Sequence, residues 1–194
     1  MNGNMNDMNY RYKMPKVITK ISGRGNGIYT IFTNIEDVCK SINHPIEVIL
    51  SYIATITGSN CIFERNTITG THNGEYVTEL LLEYIKYLIM CPKCNIPETI
   101  PVLNGKKKNM YITLNCSACK NETMVESINK RINKGTDIII KYLKSGHVWP
   151  VSKGTMVKQT NSVNNDLTID INETKIENKE MIFTQPFSFD FDSI

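Results

Sequence analysis

Apolar residues recur along this chain in two rhythms. Between Lys16 and Ile21 the apolar Val17, Ile18 and Ile21 are interspersed with polar positions, which predicts a short strand. Gly23-Arg24-Gly25-Asn26-Gly27 then makes a tight connection, and Ile28 to Thr33 reads as a second strand, so the pair forms a hairpin. Helical spacing takes over at Ile35, Val38, Cys39 and Ile42, with Asn34 as the expected N-cap and Glu36 and Asp37 beside the positive end of the helix dipole. A second helix begins at Pro45, runs through Val48, Ile49, Tyr52 and Ile53, and stops before Gly58. Short strands follow at Cys61–Glu64 and Thr67–Thr71. The clearest helix spans Gly74 to Met90, with Val77, Leu81, Ile85 and Leu88 on one face.

Beyond Met90 the rhythm returns to strands. Ile100, Val102 and Leu103 precede Lys106-Lys107-Lys108, and Met110, Ile112 and Leu114 follow: strand, basic turn, strand. Residues 124–146 read as helical again, with an interruption near Gly135. From about Val151 no core-forming period remains, up to the aromatic-acidic string Phe187-Ser188-Phe189-Asp190-Phe191-Asp192. The fold class expected is α+β, a small helix-on-sheet domain followed by a four-cysteine zinc ribbon. Its parts are a flexible N-terminal arm (1–14), the α+β domain (15–90), the ribbon (91–123), a C-terminal helix packing back (124–146) and a mostly disordered tail (147–194).

Composition changes this picture little. The 194 residues carry a net charge of +3, an excess that permits RNA contact without arguing for it, and 41% are hydrophobic, enough for a real core. No apolar run approaches the roughly 18 residues of a membrane helix, and the polar start MNGNMNDMN lacks the apolar stretch of a secretory signal. The expected compartment is therefore cytoplasmic and reducing, where the six cysteines read as thiols or metal ligands.

Cysteine spacing adds chemistry. Cys91-x-x-Cys94 is followed after 21 residues by Cys116-x-x-Cys119. Each CxxC turn points two thiolates at one metal, and two such turns complete a tetrahedron. A pair of disulfides needs an oxidising compartment and redox CxxC motifs usually come singly, so one zinc ion is the preferred reading. Four thiolates leave no open position, which makes the metal structural. A ribbon of ~30 residues buries too little core to fold alone, and the metal supplies the missing stability. Cys39 and Cys61 fall within predicted elements and read as buried apolar residues.

Several local patterns carry a family resemblance. Tyr10-Arg11-Tyr12-Lys13-Met14-Pro15, Gly23-Arg24-Gly25-Asn26-Gly27-Ile28, Asn43-x-Pro45, Gly70-x-His72, Cys91-Pro92-x-Cys94-x-x-Pro97-Glu98-Thr99 and Cys116-x-Ala118-Cys119 occur in this order. Over about residues 9–145 they make the chain similar to the N-terminal domain of eukaryotic translation initiation factor 5. The beta subunit of initiation factor 2 shares the helical part and the ribbon but lacks the tyrosine-arginine entry and the glycine-rich hairpin in this form.

The resemblance implies a GTPase-activating protein that acts on GTP-bound initiation factor 2, through its gamma subunit, in the scanning pre-initiation complex and so supports start-codon selection. It implies no catalytic turnover of its own. By position in the motif Arg11 is the arginine finger supplied in trans, whose planar cation can neutralise charge on the transferred phosphoryl group. The plainer alternative is that Arg11 and Lys13 form a basic arm touching RNA. Lys20, Gly23 and Arg24 match a loop that approaches the small ribosomal subunit and initiator tRNA, although the glycines also suit the turn alone. Two family lysines are replaced, by Tyr29 and Ser51, and the second hairpin around Arg65-Asn66 is short. The family's C-terminal helical domain is replaced by the polar tail, whose Phe/Asp string is a candidate docking motif for basic partners. The heavy use of Asn, Ile and Lys fits an AT-rich genome, such as that of a parasite or a large DNA virus working in its host's cytoplasm. Two competing functions remain open: a ribosome and initiator-tRNA binding module without activation, and a beta-subunit-like scaffold. A monomer is expected, and no membrane partner.

Overall fold

The glycine-rich hairpin forms where the apolar alternation places it. In the computed structural model, which describes residues 12–106 and 109–150, β1 (Thr19–Ser22) and β2 (Tyr29–Phe32) run antiparallel with Ser22 opposite Tyr29 and Thr19 opposite Phe32. Gly23 opens the connection at φ +93°, and a Cβ there would fall 2.0 Å from the Gly27 carbonyl oxygen, so the turn excludes any side chain. Two further strands extend the sheet: β3 (Cys61–Ile62) and β4 (Thr67–Thr69), in the order β1-β2-β4-β3. Thr30 is fully buried in β2 and satisfied on both counts. Its hydroxyl donates to the Gly70 carbonyl (2.8 Å) and accepts from the His72 amide (3.0 Å).

Helices α1 (Ile35–Ser41), α2 (Ile46–Thr57) and α3 (Gly74–Leu88) follow the apolar spacing. Pro45 stands at the N-cap of α2, and Gly58 closes it at φ +67°. Asn34 differs from the expectation. Its side chain makes no capping bond and instead ties the start of α1 to the segment that leads into β1, accepting from the Ile18 amide (2.9 Å) and donating to the Lys16 carbonyl (2.7 Å). These two cross-links fix where α1 begins relative to the segment entering β1.

The region after Met90 is built as a second, three-stranded antiparallel sheet: β5 (Thr99–Asn104), β6 (Tyr111–Cys116) and β7 (Glu122–Met124). The final helix, α4 (Lys130–Lys144), therefore starts later than the residue 124 read from the sequence, because Glu122–Met124 pair with Thr113–Asn115. Nor is it broken at Gly135. That glycine is buried within α4, where an added Cβ would lie 2.7 Å from Leu88 Cδ1 and 3.3 Å from Tyr84 Cε2. A glycine there lets α4 approach α3 and α2 closely, which the helix-breaking reading of glycine overlooks. Asn129 caps α4 by accepting from the Ile132 amide (2.9 Å) and donates to Glu83 (2.8 Å), which also pairs with Arg131 at 3.1 Å.

One hydrophobic core runs through both sheets. Ile49, Ile53, Leu81 and Ile85 join Ile132 and Ile139 of α4 and Ile100 and Ile112 of the second sheet. Trp149 belongs to the same core at 2% exposure, so the packed structure extends past the boundary placed at residue 147.

Candidate metal centre and neighbouring surfaces

Two turns of matching geometry present the four cysteines. In the first, which follows α3, the Asn95 amide donates to the Cys91 carbonyl (2.8 Å) and the Cys91 amide donates to the Ile96 carbonyl (3.1 Å). In the second, which closes β6, the Lys120 amide donates to the Cys116 carbonyl (2.9 Å) and the Cys116 amide to the Asn121 carbonyl (2.9 Å). Asn95 and Lys120 occupy the same place in each turn, and both adopt positive φ, +54° and +59°. For the lysine that conformation costs on the order of 1 kcal/mol, and it persists because the turn over-determines it.

The turns face each other. All four Sγ atoms lie within 4.8 Å of one another, with Cys91 and Cys119 at 3.7 Å and Cys94 and Cys116 at 3.6 Å. These separations are far beyond a disulfide bond, and all six cysteines are free. Burial pushes the Cys94 thiol up to about 12 and raises Cys116. Burial acts on Cys91 too, but backbone N–H groups of Cys94 and Lys93 outweigh it and bring that thiol down to about 7. Sulfurs this close cannot all ionise without a cation between them. A metal ion reverses that constraint, and an all-sulfur donor set of this size fits one.

The body of the protein holds the centre in place. Thr99, buried at the start of β5, donates to the Ile89 carbonyl at the end of α3 (2.7 Å), and the Ser117 amide donates to the Glu98 carbonyl (2.8 Å). On the same short segment Glu98 accepts from the Tyr12 hydroxyl at 2.6 Å. Tyr12, Lys13 and Met14, placed in the arm by the sequence, are half-buried here, and Met14 packs on the core. Tyr12 and Glu98 each fall in a motif that carries the resemblance, and nothing in the sequence pairs them.

Other predicted site residues are spread over the surface. Lys20, Gly23 and Arg24 are exposed along one edge of the first sheet. The β5–β6 loop repeats the glycine device of that hairpin: Gly105 sits at φ +85°, a Cβ there would lie 2.0 Å from the Asn109 carbonyl, and Lys106 follows as Arg24 follows Gly23. Tyr29 is half-buried in β2, and Ser51 is half-buried on α2. Cys39 is buried as expected, and burial pushes its thiol up to about 12. Cys61 is only half-buried. Arg11, Lys107, Lys108 and the Phe187–Asp192 string lie outside the described residues. Among the described residues no helix is long and apolar enough to cross a membrane.

Comparison with known proteins agrees with this layout. A family described as a domain found in initiation factors 2B and 5 matches residues 2–122. Eukaryotic translation initiation factor 5 of Mus musculus is 34% identical over 134 residues, which is 67% of this chain and 31% of that protein. The Phaseolus vulgaris factor is 37% identical over 143 residues, 72% of this chain and 31% of the relative, and a probable factor 5 of Schizosaccharomyces pombe is 30% identical over 139 residues, 70% and 34%. The chain thus spans about a third of the length of these curated relatives. With the match extending from the arm through both cysteine pairs, the chain belongs to the family of the domain found in initiation factors 2B and 5.

Proposed function

We propose that this chain is a translation initiation factor of the factor 5 type that stimulates GTP hydrolysis by initiation factor 2 in the pre-initiation complex. Arg11 is the finger supplied in trans to the nucleotide held by the gamma subunit, and the chain turns over no substrate itself. The observation that carries this reading is the Tyr12–Glu98 bond. It anchors the residue next to Arg11 on the segment that joins the two cysteine turns, so the arm has a fixed root one residue from the proposed finger. A finger is useful only if its reach is limited, because positioning supplies much of the rate gain.

The metal in this reading is one structural zinc ion bound by Cys91, Cys94, Cys116 and Cys119. Tetrahedral zinc with Zn–S near 2.3 Å places sulfurs about 3.8 Å apart, and two of the pairs here stand at 3.7 and 3.6 Å. Lys13, Lys20, Gly23 and Arg24 contact the small ribosomal subunit or initiator tRNA, in the cytoplasm, from a monomeric protein. The turn geometry already requires Gly23, so its RNA role rests on the neighbouring Lys20 and Arg24 contacting phosphate.

A second reading has support of its own. Tyr29 and Ser51 carry no charge where the resemblance leads one to expect lysines, which favours a binding module that occupies the ribosome without activating the GTPase. One experiment separates the two: GTP hydrolysis by initiation factor 2 on pre-initiation complexes, with wild type and Arg11→Ala. The finger reading expects a loss on the order of a thousandfold with folding and binding retained. Equal rates with retained ribosome binding would leave the binding module.

A further inference from the structure

A groove of about 500 Å³ separates α2, α4 and the corner at β3. Its apolar lining is Val48, Ala54, Cys61, Phe63, Ile138 and Tyr142, and the charged Lys141 and Glu47 line it too. Ser51 leaves its floor open, since a long side chain there would project into the space. Phe63 is 44% exposed and Ile62 beside it 39%, so apolar surface continues onto β3. β3 is the terminal strand of its sheet, paired with β4 on one side only. An unpaired edge next to an apolar groove is a receptor for an extended segment.

We propose that this groove is the docking site of the chain's own residues Phe187–Asp192. In that string Phe187, Phe189 and Phe191 alternate with Ser188, Asp190 and Asp192. An extended strand therefore presents three phenyl rings on one face and a hydroxyl and two carboxylates on the other. The rings fit the apolar walls, and the carboxylates meet Lys141 and Lys144, three apart and so on one side of the last turn of α4. The chain also leaves the described structure beside this groove: Trp149 stands 5.9 Å from Tyr142, ring centroid to centroid, and Tyr142 lines the groove. The 36 residues between Pro150 and Phe187 are more than enough chain to reach back to the groove. Because the segment belongs to the same chain, its docking is intramolecular, which favours a contact too weak to form between separate molecules.

Hydrogen exchange on the full-length, zinc-loaded chain tests this. Residues 60–63 and 138–145 should exchange about tenfold faster in Phe187→Ser/Phe189→Ser/Phe191→Ser than in wild type, while β5 to β7 stay unchanged. Ser51→Lys, which fills the groove and leaves the segment intact, should accelerate the same amides. Equal exchange in wild type and the triple variant overturns the proposal, and so does protection that survives Ser51→Lys. Protection that rises with protein concentration and accompanies a doubled mass would assign the groove to a second copy and overturn self-docking.

Discussion

The Trp149 indole stands edge-on to the His44 imidazole, with ring centroids 4.7 Å apart and planes at 90°. His44 in turn meets Tyr84 of α3 edge-on at 5.6 Å, so a residue beyond the last helix closes a ring stack that begins between α1 and α2. Trp149 is among the largest fully buried side chains among the described residues. Trp149→Ala should lower stability by about 3–5 kcal/mol, the usual cost of emptying an aromatic site in a core. Urea denaturation of the zinc-loaded chain checks this, and a shift within about 0.5 kcal/mol, typical of a surface change, would mean that the indole is not packed as described.

The same contact makes His44 sensitive to acid. Burial lowers its pKa from 6.5 to about 4, against smaller opposing effects from hydrogen bonding to the Ile42 and Asn43 backbone. Its Nδ1 donates to the Ile42 carbonyl (3.0 Å), and Nε2 is buried without a partner among the described residues, so a second proton there has no acceptor. The unfolded chain binds that proton more readily than the folded one. Stability contributed by neutral His44 is therefore complete above pH 6.5 and declines as pH falls toward 4, by on the order of 3 kcal/mol in all. Unfolding midpoints from about pH 7 to 5, with zinc in excess to hold the cysteine site, should fall in wild type and stay flatter in His44→Asn. Parallel slopes for the two proteins would locate the acid sensitivity elsewhere.

Trp149 also shows where the sequence stops being legible. The helices α2 and α3 and the first hairpin announce themselves because each repeats one rule several times: apolar spacing, a terminal glycine or proline, a glycine-rich turn. The cysteine pairs are legible for the same reason, since the two turns obey one pattern twice. Trp149 has no repeat around it. It lies in a short apolar patch, Val148-Trp149-Pro150-Val151, with no period to continue, and only the tertiary structure says that His44, about a hundred residues away, is its neighbour. Gly135 and Asn34 misled for a related reason. Each has a strong local meaning, helix breaker and helix cap, that long-range contacts to Leu88 and to Ile18 override. The Tyr12–Glu98 bond, which matters most for the proposed function, joins two exposed-looking polar residues and leaves no periodic trace.

Removing the metal should loosen the ribbon first. The donor turns hold two positive-φ residues, Asn95 and Lys120, and a cluster of thiols that repel once ionised. Zinc-loaded protein treated with a thiol reagent should react first at Cys61, the half-exposed cysteine outside the cluster, and slowly at buried Cys39. Adding a strong chelator should release one zinc per chain, expose four further thiols and speed exchange in β5 to β7. Because Ile100 and Ile112 share the core with α4, some loosening should reach Ile132 and Ile139. Four thiols already reactive before chelation, or no released zinc, would rule out the structural metal.

The arm offers the sharpest separation of position from charge. Tyr12→Phe removes the hydroxyl that reaches Glu98 and keeps the ring, Arg11 and the net charge. The lost bond has a charged acceptor at a partly exposed place, so global stability should fall by no more than about 1–2 kcal/mol. Under the proposed function the effect on GTP hydrolysis should be larger than that figure suggests, because freeing the root lets Arg11 sample positions away from the nucleotide. The expected outcome is about a ten- to hundredfold lower rate on pre-initiation complexes with unchanged binding, compared with the near-complete loss in Arg11→Ala. Glu98→Gln should fall between wild type and Tyr12→Phe, since the amide oxygen still accepts the phenol proton but without the charge. If Tyr12→Phe hydrolyses GTP at the wild-type rate while Arg11→Ala is inactive, the finger needs no fixed root, and the Tyr12–Glu98 tie serves only to seal the arm against the ribbon.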